Sequence, residues 1–300
     1  MVVSNSLGRR GALIAGAALI GGCGPRRPVV VAPTPRALDL DRPEDALRAF
    51  VKMRGSLGDE DVVFHFRGSV YSNVPGERGK RLFLIEGYNV ACTPREGDGY
   101  LLLTREMAVY RDPETHVILD RFVVPWTGRD VEVVSVWNDP VSHRLALSGQ
   151  SGPFRASWSA EGDEIVFDSD VFLLYPSPLP RAQFPESSAS DMYQGAELFQ
   201  FWVRRDDLES AAPSAPARLA WTRLGPFLPW MALGDRPGGL VYRAHGRKLP
   251  GGFAELPADL RARVAERGPQ FAHAPRTLSP PNETSFTYFK KRAAGAPLPR

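Results

Sequence analysis

From Val62 onward, apolar and polar residues alternate with a period of two, and the alternation recurs as far as Lys248. A chain patterned this way can bury one side of an extended segment but has no helical stripe to bury. In Val62–Tyr71, Phe64 and Phe66 fall on one side and His65 and Arg67 on the other. Arg81–Ala91, Tyr100–Tyr110, Val117–Val124, Val131–Trp137, Phe154–Trp158 and Glu164–Tyr175 continue the series. Leu198–Val203, Arg218–Arg223 and Leu240–Lys248 follow. Turn chemistry separates them: Pro75-Gly76, Gly97-Asp98-Gly99, Asp112-Pro113, Thr127-Gly128 and Gly162-Asp163. Connections this short favour antiparallel hairpins over parallel crossovers. The pattern predicts an all-β fold with a few helices. About ten strands in meander order would close into a barrel-like or strongly curled sheet, lipocalin-like in outline. Closure would remove exposed edges.

Two helices are predicted beside the strands. Asp41 can cap the first, Pro43 suits its first turn, and Glu44 and Asp45 suit its positive end. Ala46, Leu47, Phe50 and Val51 then share one face, and Gly55 ends it. The second spans Pro257–Arg267, where Leu256, Leu260 and Val264 could cover a barrel mouth or a sheet face.

The N-terminal residues predict export. Arg9-Arg10 precede an apolar run, Gly11–Gly22. As a helix that run reaches only ~18 Å, short of a ~30 Å hydrocarbon core, so it reads as a secretory h-region. Paired arginines before a weakly hydrophobic run predict the twin-arginine export machinery as a partner. Leu19-Ile20-Gly21-Gly22-Cys23 resembles a lipobox, with Cys23 as the lipidated residue; an ordinary signal cleavage that leaves Cys23 a free thiol is the alternative. The expected organisation is a signal at 1–22, a Pro-rich tether at 23–40, one β-rich domain at 41–292 and a flexible tail at 293–300. The expected location is the periplasm or cell envelope, with membrane contact through the lipid alone. Removing residues 1–22, with two arginines and no acid, leaves a formal charge of +1. That balance supplies no electrostatic footprint for nucleic acid. Cys92 is the only other cysteine and is expected to be a buried small hydrophobe.

Some strands place charge among apolar neighbours. Leu82, Leu84, Glu86, Tyr88 and Val90 share a face, as do Leu102, Thr104, Glu106, Ala108 and Tyr110. Glu86 is either an inward carboxylate with a raised pKa or an ordinary one, on a solvated face or in a structural pair with an arginine, and the ordinary reading is preferred. The C-terminal third is densest in polar signals. Arg243, His245 and Arg247 share one face of their strand with Val241, and Tyr242, Ala244 and Gly246 share the other. In water such a row needs no explanation. Facing inward, it would make a cationic pocket suited to a carboxylate, enolate or phosphate. His245 would then be the acid/base, Arg243 and Arg247 would stabilise an oxyanion, and Asp235 or Glu283 would orient the base. Trp230, Tyr242, Tyr88, Glu86 and Asn282 complete the expected ligand-binding set. Pro281–Lys290 is predicted as a further strand with a polar start.

Several segments together resemble a known family. They are Lys52-Met53-Arg54-Gly55-Ser56, Asn138-Asp139-Pro140-Val141, Trp230-Met231 with Gly234-Asp235-Arg236-Pro237-Gly238, Leu240–Leu249, and Asn282–Lys290. The chain resembles the bacterial and fungal family catalogued as domain of unknown function 1838, over most of its length after Asp41. The resemblance implies no activity and no site residues. Phe286 stands where the family pattern leads one to expect tryptophan.

No Gly-x-Ser-x-Gly elbow, P-loop or His-Glu-x-x-His motif is present. No cofactor is expected. The five histidines lack metal-ligand spacing, which leaves only a site assembled across strands from His65, His143 or His245 with Glu86. Three readings of function follow. One is an envelope enzyme performing isomerase, lyase or hydrolase-type acid–base chemistry on a small, largely apolar or amphipathic metabolite. The second is a non-catalytic lipoprotein that binds a lipophilic ligand. The third is an envelope scaffolding protein that docks a partner through Phe227–Met231.

Overall fold

The computed structural model describes residues 37–138, 142–148, 152–279 and 282–295. Arg9, Arg10, Cys23 and the segment Asp139–Val141 lie outside the described residues. The described residues make one compact unit, mostly β. Its strands are β1 (Val62–Asn73), β2 (Arg81–Cys92), β3 (Arg95–Glu96), β4 (Gly99–Arg111), β5 (Arg121–Val123), β6 (Asp130–Glu132) and β7 (Val136–Asn138). They continue as β8 (Ser142–Leu145), β9 (Ser157–Glu161), β10 (Glu164–Pro176), β11 (Met192–Arg204), β12 (Arg218–Gly225) and β13 (Gly239–Leu249). The helices are α1 (Pro43–Arg54), α2 (Arg205–Glu209), α3 (Ala258–Arg267) and α4 (Ser285–Ala293). Among the described residues, no helix is long and apolar enough to cross a membrane.

Eleven strands form one large antiparallel sheet in the order β3-β4-β2-β1-β13-β12-β11-β10-β9, with β7 and β8 also paired to β4. Strands β5 and β6 pair separately. Within each half of the chain consecutive long strands are neighbours, as a meander predicts, whereas β4 and β10 do not pair. The first and last long strands are neighbours as well, from Val63↔Leu249 to Asn73↔Gly239. Among the described residues, no strand pairing joins the two ends of the path. Between those ends, Phe154 N donates to Ala146 O at 3.0 Å.

Both faces of β2 and β4 are covered, which is why their sequences are apolar on both sides. On the outward face, Tyr88, Val90, Met107 and Val109 pack under Leu256, Leu260, Val264 and Phe271. The helix α3 therefore covers a sheet face, one of the two positions its apolar stripe allowed. On the inward face, α1 lies across both ends of the path. Its Leu47 and Val51 meet Leu102 of β4 and Leu145 of β8, and its Phe50 meets Phe167 of β10 at 6.3 Å.

Four expectations need correction. Pro281–Lys290 is not a strand; Ser285 onward is α4, because Thr284 and Thr287 form a reciprocal capping box and Phe286 and Tyr288 find buried sites. Val117–Val124 contracts to β5, and Val131–Trp137 splits into β6 and β7. Asp41 does not cap α1; Arg42 holds that position without a side-chain bond, and Pro43 opens the helix.

Two buried lysines fasten the helices to the sheet. Lys52 of α1 is fully buried. Its ammonium donates to the carbonyls of Asp207, Leu208 and Ser210 at 2.7–2.8 Å, satisfying the end of α2. Lys248 of β13 donates to Lys52 O, Gly55 O and Ser214 Oγ at 2.8–3.0 Å. These acceptors favour the ammonium form; burial, and then Arg54, oppose it and push Lys248 down to about 7. Replacing Lys52 by methionine keeps the volume but takes the ammonium from three carbonyls, that of Leu208 buried and those of Asp207 and Ser210 part-buried. We expect Lys52→Met to lose about 2–4 kcal/mol, read as a lower denaturant midpoint at unchanged m-value.

Candidate functional site

The inward face of the sheet carries most of its ionisable chemistry in two bands. Backbone register sets the first. Lys248, Phe64, Asn89, Glu106 and Asn138 are successive cross-strand partners on β13, β1, β2, β4 and β7. The second band is Glu197, Arg223 and Tyr242 on β11, β12 and β13. Between them run Phe199 and Trp221, and a stretch of small residues that includes Gly87, Ala108, Ala244 and Gly246. Glycine is required at Gly87, where a Cβ would collide with the Met107 carbonyl.

Arg54 enters this face from the last turn of α1. Its Nη2 donates to Asn89 Oδ1 at 2.7 Å, and its guanidinium lies 5.5 Å from the Phe64 ring centre. Its Nη1 is buried with no hydrogen-bond partner. Burial lowers Arg54 to about 10, against the opposing pull of Glu106. Glu106 is pushed the other way. Burial, and then the neighbouring Glu197, raise it to about 7, while Arg223 and Arg54 draw it down. No hydrogen bond or ion pair holds the Glu106 carboxyl among the described residues. Glu197 is better matched, with Oε1 3.5 Å from Arg223 Nε. Arg223 also donates to Tyr193 Oη at 2.9 Å and lies 5.0 Å from the Tyr242 ring centre. Burial raises the Tyr110 and Tyr242 hydroxyls, so both stay neutral.

Glu106, Glu197, Phe199, Trp221 and Arg223 are each only half-buried although they sit on the inward face. Solvent-sized space therefore reaches them. The seam is spanned here by α4. Asn138 Nδ2 of β7 donates to Ser285 Oγ at 3.1 Å, and Phe286 packs on Tyr193 of β11 at 5.0 Å. A cleft of about 340 Å³ is lined by Tyr193, Ser177, Ser188, Ser190, Leu174 and Phe286. No acid or base side chain lines it, so we assign the chemistry to the inward face.

The residues expected from the sequence are dispersed. Arg243, His245 and Arg247 lie exposed on the outward face, and Arg247 pairs with Glu255 at 2.7 Å. Asp235 pairs with Arg181 at the surface. Glu283 binds Thr287 and Lys291 around the start of α4, and Asn282 precedes it in the chain. Trp230 is buried against Phe83, Tyr110 and Phe122. Tyr88 is buried under α3, with its hydroxyl on Phe271 O at 2.7 Å, and burial raises its pKa. Glu86 faces outward. It bonds His65 at 3.0 Å and Arg111 at 2.7 Å, and Arg111 reaches Asp259 at 2.7 Å. The His65 bond, and then Arg111, hold Glu86 below the usual carboxylate range, against the burial that would raise it. Of the predicted set, Tyr242 alone belongs to the inward cluster. Sequence reading missed Arg54, Glu106, Glu197, Arg223 and Trp221. The signal for Glu106 was present, since Thr104, Glu106, Ala108 and Tyr110 were read as one face.

No group of three or more His, Cys, Asp or Glu residues could hold a metal ion among the described residues. His143 lies exposed on β8, away from the His65–Glu86 pair. Residues 59–293 match the family described as Protein of unknown function (DUF1838). No curated protein matches the chain.

Glu106 links the site to stability. Its carboxyl ionises near 4.5 in the unfolded chain and near 7 when folded, so the folded state holds the proton more tightly. The stabilisation this gives is complete below pH 4.5 and is lost as pH rises through 7. We expect Glu106→Gln to be more stable than the parent by about 1–3 kcal/mol at pH 8, with the difference vanishing toward pH 4.5 in parallel denaturation series.

Proposed function

We propose that this chain, which belongs to the DUF1838 family of proteins of unknown function, binds a small, largely apolar molecule on the inward face of its sheet and exchanges a proton with it through Glu106. One observation carries the reading. A carboxyl with a pKa of about 7 stands unbonded among the described residues, beside Arg54 and the Glu197–Arg223 pair, in a face otherwise lined by rings and small residues. A group poised near neutrality can give and take a proton at the same pH. Arg54 and Arg223 are placed to offset negative charge that develops on a bound substrate. Isomerisation or dehydration of an apolar metabolite suits this equipment.

In this reading the sheet acts as a barrel-like container. Support comes from the pairing of the first and last long strands and from α1 and α4, which lie across the two free ends of the path. The acid–base role moves from the outward His245 to the inward Glu106.

Native mass spectrometry of the purified full chain tests the proposal. We expect a retained molecule of a few hundred daltons, converted over time by the parent and not by Glu106→Gln. Retention by both with conversion by neither would leave a carrier. An empty chain whose tryptophan fluorescence no small-molecule library alters would overturn the site.

The domain's delivery is part of the same proposal: twin-arginine export, then anchoring through lipid on Cys23. The support is the sequence of residues 6–23 and the Pro-rich tether after it. We expect Cys23→Ala to move the protein from the membrane to the soluble fraction. A variant that stays membrane-bound would rule out the lipid anchor.

A further inference from the structure

The second half of β10 is paired on one side only. β11 runs beside the whole strand, from Glu164↔Arg204 to Pro176↔Met192, whereas β9 reaches only as far as Asp168↔Ser157. Beyond Asp168 no strand pairs with the other side of β10 among the described residues. The hydrogen bonds that bracket the β10–β11 ladder show which peptide groups are left over. Arg205 N donates to Asp163 O at 2.9 Å, and Ser177 N donates to Asp191 O at 2.8 Å, both in the register of the ladder. Odd-numbered residues of β10 therefore turn their N–H and C=O toward β11, and even-numbered ones turn theirs away. Asp170, Phe172 and Leu174 each present a donor and an acceptor at this edge, and Pro176 presents a carbonyl.

The side chains do not protect it. Sheet edges are commonly blunted by lysine, proline or a bulge. Residues 169–175 contain no basic residue and no proline, and their register with β11 is unbroken. Val171, Phe172 and Leu174 are 39%, 77% and 69% exposed, and Met192, opposite Pro176, is 44% exposed. Leu173 and Tyr175 point to the other face, where they pack with Tyr193 and with Phe286 of α4. Helix α4 thus covers this end of the strand from the inward side and leaves Phe172 and Leu174 in solvent.

We infer that this edge pairs with the same edge of a second copy of the chain, antiparallel, about a two-fold axis at Leu173. An antiparallel edge is its own complement, because a two-fold axis sets its row of donors and acceptors against an identical row. With Leu173 on the axis, Phe172 faces Leu174 of the second copy on both sides of it, apolar against apolar. Asp170 is the only charged residue of the segment, and it faces Pro176 of the second copy, so no charge opposes a like charge. The exposed Phe172 and Leu174 side chains of both copies then gather into one cluster on the outward face. A ladder this short buries less than the ~1,200 Å² of a standard interface, which makes the dimer a reversible one with a Kd of about 1–100 μM. The inference does not depend on the inward face.

Sedimentation velocity on the purified full chain, over about a hundredfold range of concentration that spans this Kd, tests it. We expect a reversible monomer–dimer equilibrium with no larger species. Phe172→Lys puts a charge on an exposed edge position and should raise the dimer Kd at least about 30-fold. Leu174→Pro removes a donor from the free edge and none from the β11 ladder, and should raise it about tenfold. If Leu174→Pro does not fold, Phe172→Lys and Leu174→Lys decide. Val117→Lys changes another exposed apolar residue, 64% exposed and outside the edge, and should leave the Kd within about twofold. A chain that is monomeric throughout overturns the inference, whatever else occupies the edge. A dimer that Phe172→Lys leaves intact, or that Val117→Lys weakens equally, overturns it as well. Open-ended oligomers would rule out the two-fold pairing.

Discussion

The pairing of β13 with β1 is the interaction on which the rest of the structure depends. It is a long-range ladder, joining residues 63–73 to residues 239–249. Without it the chain holds two separate meanders, one from β1 to β4 and one from β9 to β13. Each would expose a long edge, and neither could bury its inward rings. The ladder brings Asn89 and Glu106 from the first half into the same sheet, and to the same face, as Glu197, Arg223 and Trp221 from the second. The entropy of closing so long a loop is met by the aromatic clusters that form once the halves join, such as Phe64 with Phe201 at 5.8 Å and Phe66 with Trp221 at 5.7 Å.

The two carboxylates on neighbouring strands, Glu86 and Glu106, show how side and environment decide chemistry. They lie on opposite faces of the same sheet. On the outward face Glu86 meets His65 and Arg111 and is held as an anion. On the inward face Glu106 meets burial and a second carboxylate, which favour the proton. One is a fastener for α3 through Arg111 and Asp259. The other holds its proton to higher pH than an ordinary carboxyl.

The fold class and the strand series were legible because period-two alternation is local. Ten of the eleven predicted strand segments contain strand residues, Pro281–Lys290 being the exception, and the long ones extend by only a few residues, apart from β11, which starts at Met192 rather than Leu198. The faces were harder to read. In β2 and β4 both sides are apolar, since α3 covers one and the sheet interior forms the other, so nothing local distinguishes Glu86 from Glu106. The row of Arg243, His245 and Arg247 was read correctly as one face but is the solvated one, and the neighbouring Tyr242 points inward. Arg54 was invisible as a site residue because a basic last turn is ordinary helix chemistry. Its role depends on Asn89 and Glu106, which only the folded sheet brings near. The segments that carried the family resemblance do converge. Arg54, Asn138, Tyr242, Lys248 and Ser285 come from four of them and meet on or beside the inward face.

The order of elements along the chain has a consequence for the timing of synthesis. β1 emerges early, but its partner β13 and the seam-spanning α4 lie far downstream, between residues 239 and 293. Until these leave the ribosome, β1 and β12 each present an unpaired edge and the inward rings have no cover. The domain therefore cannot mature in stages from its N-terminus. Its interior assembles in one late event once β13 and α4 have emerged, and any machinery that handles the nascent protein meets an open, adhesive sheet. A quality check that inspects the finished domain would, in effect, be inspecting its last quarter.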